Sequence, residues 1–285
     1  MKAVSMGGSD VQYCSQYGQD EYLDRRIFKG KRHGVFVDVG ASDGVTRSNT
    51  YFFEKARGWT GLCIEPREDS FQQLRASRNC RCECACISSS SQGKRKFLEI
   101  EGWSGELSGL IDHYHPRHLE RVEREVAEHG LGTSVREVPC LRLGELLQDS
   151  GLHHVDLCSI DVEGAELHVL TGIDFAAVTI DVFVLENPYQ DLRVRRFLAA
   201  NGYRLAKRIQ HDEVYLRAVS PMDRLRLEVS CSRAAWVLSI LRDKCSARRM
   251  KRAIGLALAA FRCRERDKKG RAPHTFGEDA GSSQG

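Results

Sequence analysis

The strongest constraint in this chain is a rhythm. Short runs that are apolar almost throughout, most of them ended by glycine or proline, alternate with segments that read as helices. The runs are GVFVDVG (34–40), GLCIEP (61–66), CECACIS (82–88), VDLCSIDVEG (155–164) and VFVLEN (182–187), and Pro66 and Pro188 close two of them. Helical patterns fall roughly at 47–57, 68–78, 164–172 and 191–201, with Gly58, Gly172 and Gly202 where C-terminal caps belong. A strand that is apolar on both faces must be covered on both faces, so helices are expected on each side of a mostly parallel sheet. YRLAKRI and DEVYLR, meeting at Gln210 and His211, read as a terminal pair of strands. The predicted fold class is therefore α/β and Rossmann-like. Sheets of this kind take ligands at the carboxyl ends of their strands, where the strand order reverses.

Composition divides the chain. Its 285 residues, 41% of them apolar, suffice for one core with an appendage. Between Arg224 and Arg271 there are 15 Lys and Arg against Glu228, Asp243, Glu265 and Asp267, a local charge of +11 in a chain of net +4. The body is therefore acidic and the tail basic. We divide the chain into a flexible start (1–12), a globular body (13–218), a basic amphipathic helical extension (219–271) and a disordered tail (272–285). In the extension, Trp236, Ile240 and Leu241 share one helical face and Met250, Ile254 and Phe261 another. Such a helix can pack on the body, lie on an anionic membrane surface or meet an acidic partner. No aromatic and basic interleaving points to nucleic acid. The start has no apolar stretch of signal-peptide length, and no segment approaches the ~18 apolar residues of a membrane span. Eleven cysteines, mostly inside apolar runs, point to free thiols in a reducing, cytoplasmic setting.

The chemistry-bearing residues cluster at the ends of the runs. In FVDVGASDG, Asp38, Gly40 and Gly44 follow the first strand, where glycine permits a tight turn and a close backbone approach to a ligand. Glu65 ends the second run, the position from which an acid binds ribose hydroxyls in doubly wound nucleotide sites. No phosphate-cradling G-x-x-x-x-G-K-[ST] loop is present. Asp161 ends the fourth run, with Glu163 and Glu166 in the next turn, where acids also favour a helix N-terminus. The fifth run ends Glu186-Asn187-Pro188.

YGQDEYL (17–23), FVDVGASDG, SNTYFFEK (48–55), GWTGLCIEP (58–66) and SIDVEGAE (159–166) resemble the FkbM family of S-adenosylmethionine-dependent methyltransferases, over about residues 13–218. The resemblance implies the class I methyltransferase fold. It also implies methyl transfer to a hydroxyl of a sugar, glycan or polyketide-like small molecule. Carried over, it places Asp38, Gly40, Ala41 and Gly44 along the methionine part of the cofactor, Glu65 on the ribose, and Ile87 and Ser88 near the adenine. Gln19 and Asp20 match the family's Gln-Asp entrance motif, which puts Gln19 beside the cofactor. Asp161 and Glu163 become the catalytic candidates. Magnesium-dependent catechol-type O-methyltransferases share the fold and hold the ion at the ends of strands four and five. Asp161, Glu186 and Asn187 are similar in type and placement, and three oxygen ligands suit Mg²⁺. The competing class is a methyltransferase-like adaptor without catalysis that binds a membrane surface or acidic partner through the basic tail.

Two further patterns carry expectations. Residues 95–140 break the rhythm and read as an insertion able to cover a site. Within it, His113, His115 and His118 are expected in a solvated loop, because Pro116 interrupts any helix between them. His153 and His154 open the fourth strand away from the site, and His211 sits in the last turn. Cys80, Cys82, Cys84 and Cys86 are expected on one face of the third strand, with Cys86 nearest the cofactor. Thiols in such a row stand ~6.5–7 Å apart, too far to surround one zinc. They are read as free, core-packing groups.

Overall fold

A computed structural model describes residues 11–218, residue 92 excepted. The basic extension and the terminal tail lie outside the described residues, as does nearly all of the segment expected to be flexible. Among the described residues, no helix is long and apolar enough to cross a membrane.

The apolar runs become strands close to where the rhythm puts them: β1 (Val35–Val39), β2 (Thr60–Ile64), β8 (His154–Ile160) and β9 (Thr179–Glu186). With β3 (Arg81–Glu83), β10 (Tyr203–Ile209) and β11 (Asp212–Arg217) they form one sheet of order β10-β11-β9-β8-β1-β2-β3. Only β11 runs against the others, wedged between β9 and β10. Both faces are covered, as continuous apolar strands require. Val37 and Val39 of β1 join a core with α5 (Leu143–Asp149), α6 (Glu166–Thr171) and α7 (Leu192–Ala200). Phe36 points the other way, into a core with Leu23, α2 (Tyr51–Arg57) and α3 (Glu68–Ser77). Residues 19–28 form a short helix, α1 (Gln19–Tyr22), that continues as a π-helix.

The insertion folds into a second sheet. β5 (Lys94–Ile100) pairs antiparallel with β6 (Gly109–Leu110) and β7 (Thr133–Arg142), and α4 (Pro116–His129) packs Val122 against Leu98, Ile100 and Leu107. Here the cysteine ladder departs from expectation. The third run is two strands: β3 stays beside β2, whereas β4 (Cys86–Ser88) leaves the main sheet and pairs parallel with β7. The chain turns at Cys84 and Ala85. A period of two is the same for one strand or for two in succession, and the partner that separates them, β7, lies some fifty residues downstream. Among the described residues every cysteine is a free thiol, as expected.

The histidine expectation fails as well. His113 and His118 are buried, because Pro116 starts α4 rather than breaking it. Proline suits a first helical position, where the missing N–H has no partner to lose. The His115 ring caps that end by accepting from the Arg117 amide at 3.2 Å.

One buried cation stitches these elements together. The Arg78 guanidinium, wholly buried at the end of α3, donates to Glu54 of α2 at 2.6 Å, to Thr50 Oγ1 at 2.9 Å and to the Gly44 carbonyl at 3.1 Å. Thr50 in turn donates to Asp38 of β1 at 2.6 Å. Arg78→Ala would strand buried carboxylates, and breaking a buried pair from one side costs ~3–5 kcal/mol. The expected result is a lower urea midpoint with an unchanged slope, and an unfolding curve like that of the wild type would refute this account of the network.

Candidate active site

The carboxyl ends of β1, β2, β8 and β9 open into one cavity of about 550 Å³, roofed by the insertion through Phe97, Glu106, Leu110 and Arg121. Its floor is a close crossing of two loops. Gly40, with φ +83°, donates its amide to the Ile64 carbonyl, and a Cβ there would stand 1.8 Å from the Asp161 carbonyl oxygen. Only glycine meets both demands. Ala41 donates to the same Ile64 carbonyl and lines the cavity beside Gly40.

Glu65 leaves β2 into this cavity. One of its oxygens accepts from the Ser42 amide at 2.9 Å and the other from the Arg67 amide at 2.8 Å, so the carboxyl is held rigidly with lone pairs to spare. Burial outweighs those two hydrogen bonds and pushes its pKa up to about 7. Ile87 lines the same cavity. Ser88 does not: its side chain is fully buried and its hydroxyl lies 3.3 Å from His113 Nε2, because β4 turns that side chain into the insertion. Gly44 is also misread as a ligand contact. Its missing Cβ makes room for Leu74, Ser77 and Arg78 at the end of α3, not for a bound molecule. Asp38 reaches the cavity wall but is spent mostly on Thr50 and Arg78.

The opposite end of the cavity is acidic. Oxygens of Asp161, Glu163 and Glu186 lie within 4.8 Å of one another, and Asp212 lines the same cavity. The Asp161 side chain is open to the cavity, yet protein encloses that cavity. Enclosure first, and then the neighbouring Glu186 and Asp212, hold its carboxyl far above the usual range. Enclosure and Asp161 do the same to Glu163. Glu186 is pushed to about 9 by enclosure and the charges of Glu163 and Glu166, and Asp212 to about 6 by enclosure. Such a group cannot hold three negative charges without a cation nearby, and among the described residues Arg121 is the arginine paired with it, 3.9 Å from Glu163. Glu163 itself has φ +55°, a left-handed conformation rare for a side chain of this size, followed by Gly164 at +97°.

The expected Asp161–Glu186–Asn187 set is not brought together. Asn187 turns away, donating to Glu213 at 3.1 Å and to the Asp191 carbonyl at 3.4 Å while accepting from the Asp191 amide at 2.7 Å. Glu163 stands in its place. Gln19 lies at the mouth, where its amide donates to Asp212, and buried Asp20 accepts from the Cys14 and Ser15 amides. Asp212, Tyr189 and Arg121 were not singled out from the sequence. Asp212 had a usable signal: the first residue of a reversed strand lands at the same edge as the last residues of its neighbours, and it pairs with Glu186.

This strand order, with a single reversed strand, is that of the class I methyltransferases, and the cavity lies where such sheets take their ligand. Within that class the chain belongs to the FkbM family: the profile described as "Methyltransferase FkbM domain" matches residues 38–205, more than half of the chain. The match begins at Asp38, so Gln19 and Asp20 precede it. Among solved structures, the chain is similar to methyltransferase FkbM from Methylobacillus flagellatus KT, at 12% identity and a TM-score of 0.42. That match covers 71% of this chain and 48% of the other, so the chain spans about half of that protein. It is also similar to precorrin-6y C5,15-methyltransferase from Geobacter metallireducens GS-15, at 13% identity and a TM-score of 0.38, covering 74% of this chain and 90% of that one. No curated protein matches the chain.

The state of Glu65 is testable without a ligand. Its raised pKa means that the folded protein keeps a proton which the unfolded chain gives up. That contribution is whole below the ordinary value of 4.5 and is lost as pH climbs through about 7. Glu65→Gln lacks the proton, so its stability relative to wild type should rise across that window by up to ~3 kcal/mol. A difference in Tm between the two proteins that stays flat with pH would contradict the assignment.

Proposed function

We propose that the chain is an S-adenosylmethionine-dependent O-methyltransferase acting on a hydroxyl of a sugar, glycan or polyketide-like small molecule. The observation that carries this reading is one cavity with two unlike ends: the pinned carboxyl of Glu65 beside the glycine turn, and the acidic group around Asp161. The residues present fit the cofactor. Gly40 and Ala41 offer backbone without bulk, Glu65 has acceptor capacity for two ribose hydroxyls, and Ile87 offers an apolar wall for the adenine. The volume lies within the ~300–1,000 Å³ of ordinary small-molecule sites. When bound, S-adenosylmethionine supplies a methyl group already activated on a sulfonium sulfur.

The chain's own tasks are therefore placement and proton removal. The acidic end attracts positive charge, and a cation there would allow Asp161 and Glu163 to ionise. An ionised Asp161 or Glu163 can then take the proton from an acceptor hydroxyl whose oxygen forms the new bond to carbon. Tyr17, Tyr189 and His211 line the cavity too, and aromatic side chains of this kind suit a sugar or another hydroxylated acceptor. A divalent cation is a second reading of the same acidic group, favoured by its crowded oxygens with Glu163 in the place of Asn187. Methyl transfer that continues unchanged in EDTA removes it.

Calorimetry with S-adenosylmethionine is expected to give binding that Glu65→Ala weakens more than about ten-fold, since a charge-assisted hydrogen bond to ribose is worth ~1.5–3 kcal/mol. Labelled S-adenosylmethionine with host extract should yield a product heavier by one methylene group. Asp161→Asn should slow that transfer by at least about a hundred-fold while leaving cofactor affinity within a few-fold. A wild-type protein that takes up no S-adenosylmethionine would end the reading and leave the adaptor.

A further inference from the structure

The insertion does more than roof the cavity. Where the loop after β8 turns through Glu163 and Gly164, the start of α4 packs directly beneath it. A Cβ on Gly164 would stand 2.9 Å from His115 Cβ and 3.5 Å from His118 Cβ, so the glycine lets the two elements meet. His118 occupies the resulting space and is inaccessible to solvent. Its Nδ1 lies 3.3 Å from Glu163 Oε2 and 3.3 Å from the Tyr189 hydroxyl. Its Nε2 lies 3.5 Å from the Leu107 carbonyl, and Tyr114 stacks on the ring at 5.1 Å. The ring is therefore held from several sides. Glu163 Oε2 is itself shut off from solvent and has no well-aligned hydrogen-bond donor, while the residue lines the cavity.

We propose that His118 is a positioning residue: the insertion sets this imidazole under Glu163 and so fixes the orientation in which the Glu163 carboxyl meets the reacting groups. Burial pushes the imidazole pKa down to about 4, so the ring is neutral at ordinary pH and acts through one N–H and one lone pair rather than as a charge. The Leu107 carbonyl can only accept, so the hydrogen belongs on Nε2, and Nδ1 offers its lone pair to the Tyr189 hydroxyl or to a proton held on the Glu163 carboxyl. Arg121, one turn further along α4, adds a positive charge 3.9 Å from Glu163. The neighbours that face this pair are Tyr114, His115, Arg121, Glu125, Tyr189 and Asp161. This role is absent from the segment 113–118 read as a loop, and it gives the insertion a share in the chemistry rather than only in enclosure.

The inference rests on placing Glu163 in the methyl-transfer site, and the experiment separates the two. The probe is labelled S-adenosylmethionine with host extract as the acceptor source, using the full chain. His118→Leu should cut transfer about ten-fold with cofactor affinity unchanged, and His118→Asn, which keeps an amide near the place of Nδ1, should recover most of it. In a Glu163→Gln background the same His118 changes should cost nothing further. Full activity in His118→Leu, or losses that multiply with Glu163→Gln, overturns the proposal. A purely structural histidine would instead lower Tm and leave the rate of folded protein alone. If wild type binds no cofactor and transfers no methyl group, the functional reading falls on its own. The coupling is then decided by nitrogen NMR of labelled histidine: the His118 ring signals must move in Glu163→Gln, and signals that stay put refute it. That measurement holds even where a His118 variant fails to fold.

Discussion

Two backbones meet at the floor of the cavity, and the site depends on how closely they do so. The turn after β1 passes so near the carbonyl of Asp161 that a single methyl group on Gly40 would collide with it. β1 and β8 are adjacent parallel strands, paired from Phe36 with Leu157 to Val39 with Ile160, so their following loops must diverge from almost one point. Glycine lets the first loop drop under the second. Ala41 and Glu65 then lie on one flank and the acids of β8 and β9 on the other. An alanine at Gly40 would have to push apart loops that the sheet itself holds together.

The acidic group is best understood as an unmet electrostatic demand. Asp161, Glu163 and Glu186 bring their oxygens together in an enclosed space with one arginine near, and their pKa values are all raised as a result. Folding alone does not favour such an arrangement, because each group would be more stable in water. Local strain at Glu163 points the same way, since a positive φ at a large side chain persists only where the surroundings impose it. Clustered acids, enclosure and strain at one strand end are what a site for a cationic ligand requires.

What could be read in the sequence was local. The apolar runs other than the third, their glycine and proline stops, the Gly40 turn and Glu65 all depend on a few neighbouring residues, and these fell where the rhythm put them. What could not be read depended on distant partners. Cys86 and Cys82 share a periodicity, but β7 draws one of them out of the main sheet. Asn187 follows Glu186 directly, yet Glu213 and Asp191 pull its amide away from the cavity. His118 is polar and follows a proline, and its burial depends also on a distant partner, Gly164, against which the start of α4 packs. Gly44 looked like part of a ligand turn because the residue that needs its space, Arg78, lies thirty-four positions away.

The mouth of the cavity joins the two ends of the described chain. Gln19, in the first helix, donates to Asp212, the first residue of the last strand, 193 positions later. That strand enters between two others already in order along the chain, so the sheet stays open at β9 until the final hairpin closes. On a ribosome the binding site therefore cannot be complete until almost the whole body has emerged. Every earlier intermediate carries the acids and the glycine turn but lacks the closing edge. A contact of such high sequence separation is slow to form, and it closes one wall of the cavity. A nascent chain would have no finished place for a ligand, and a finished site would report a finished fold.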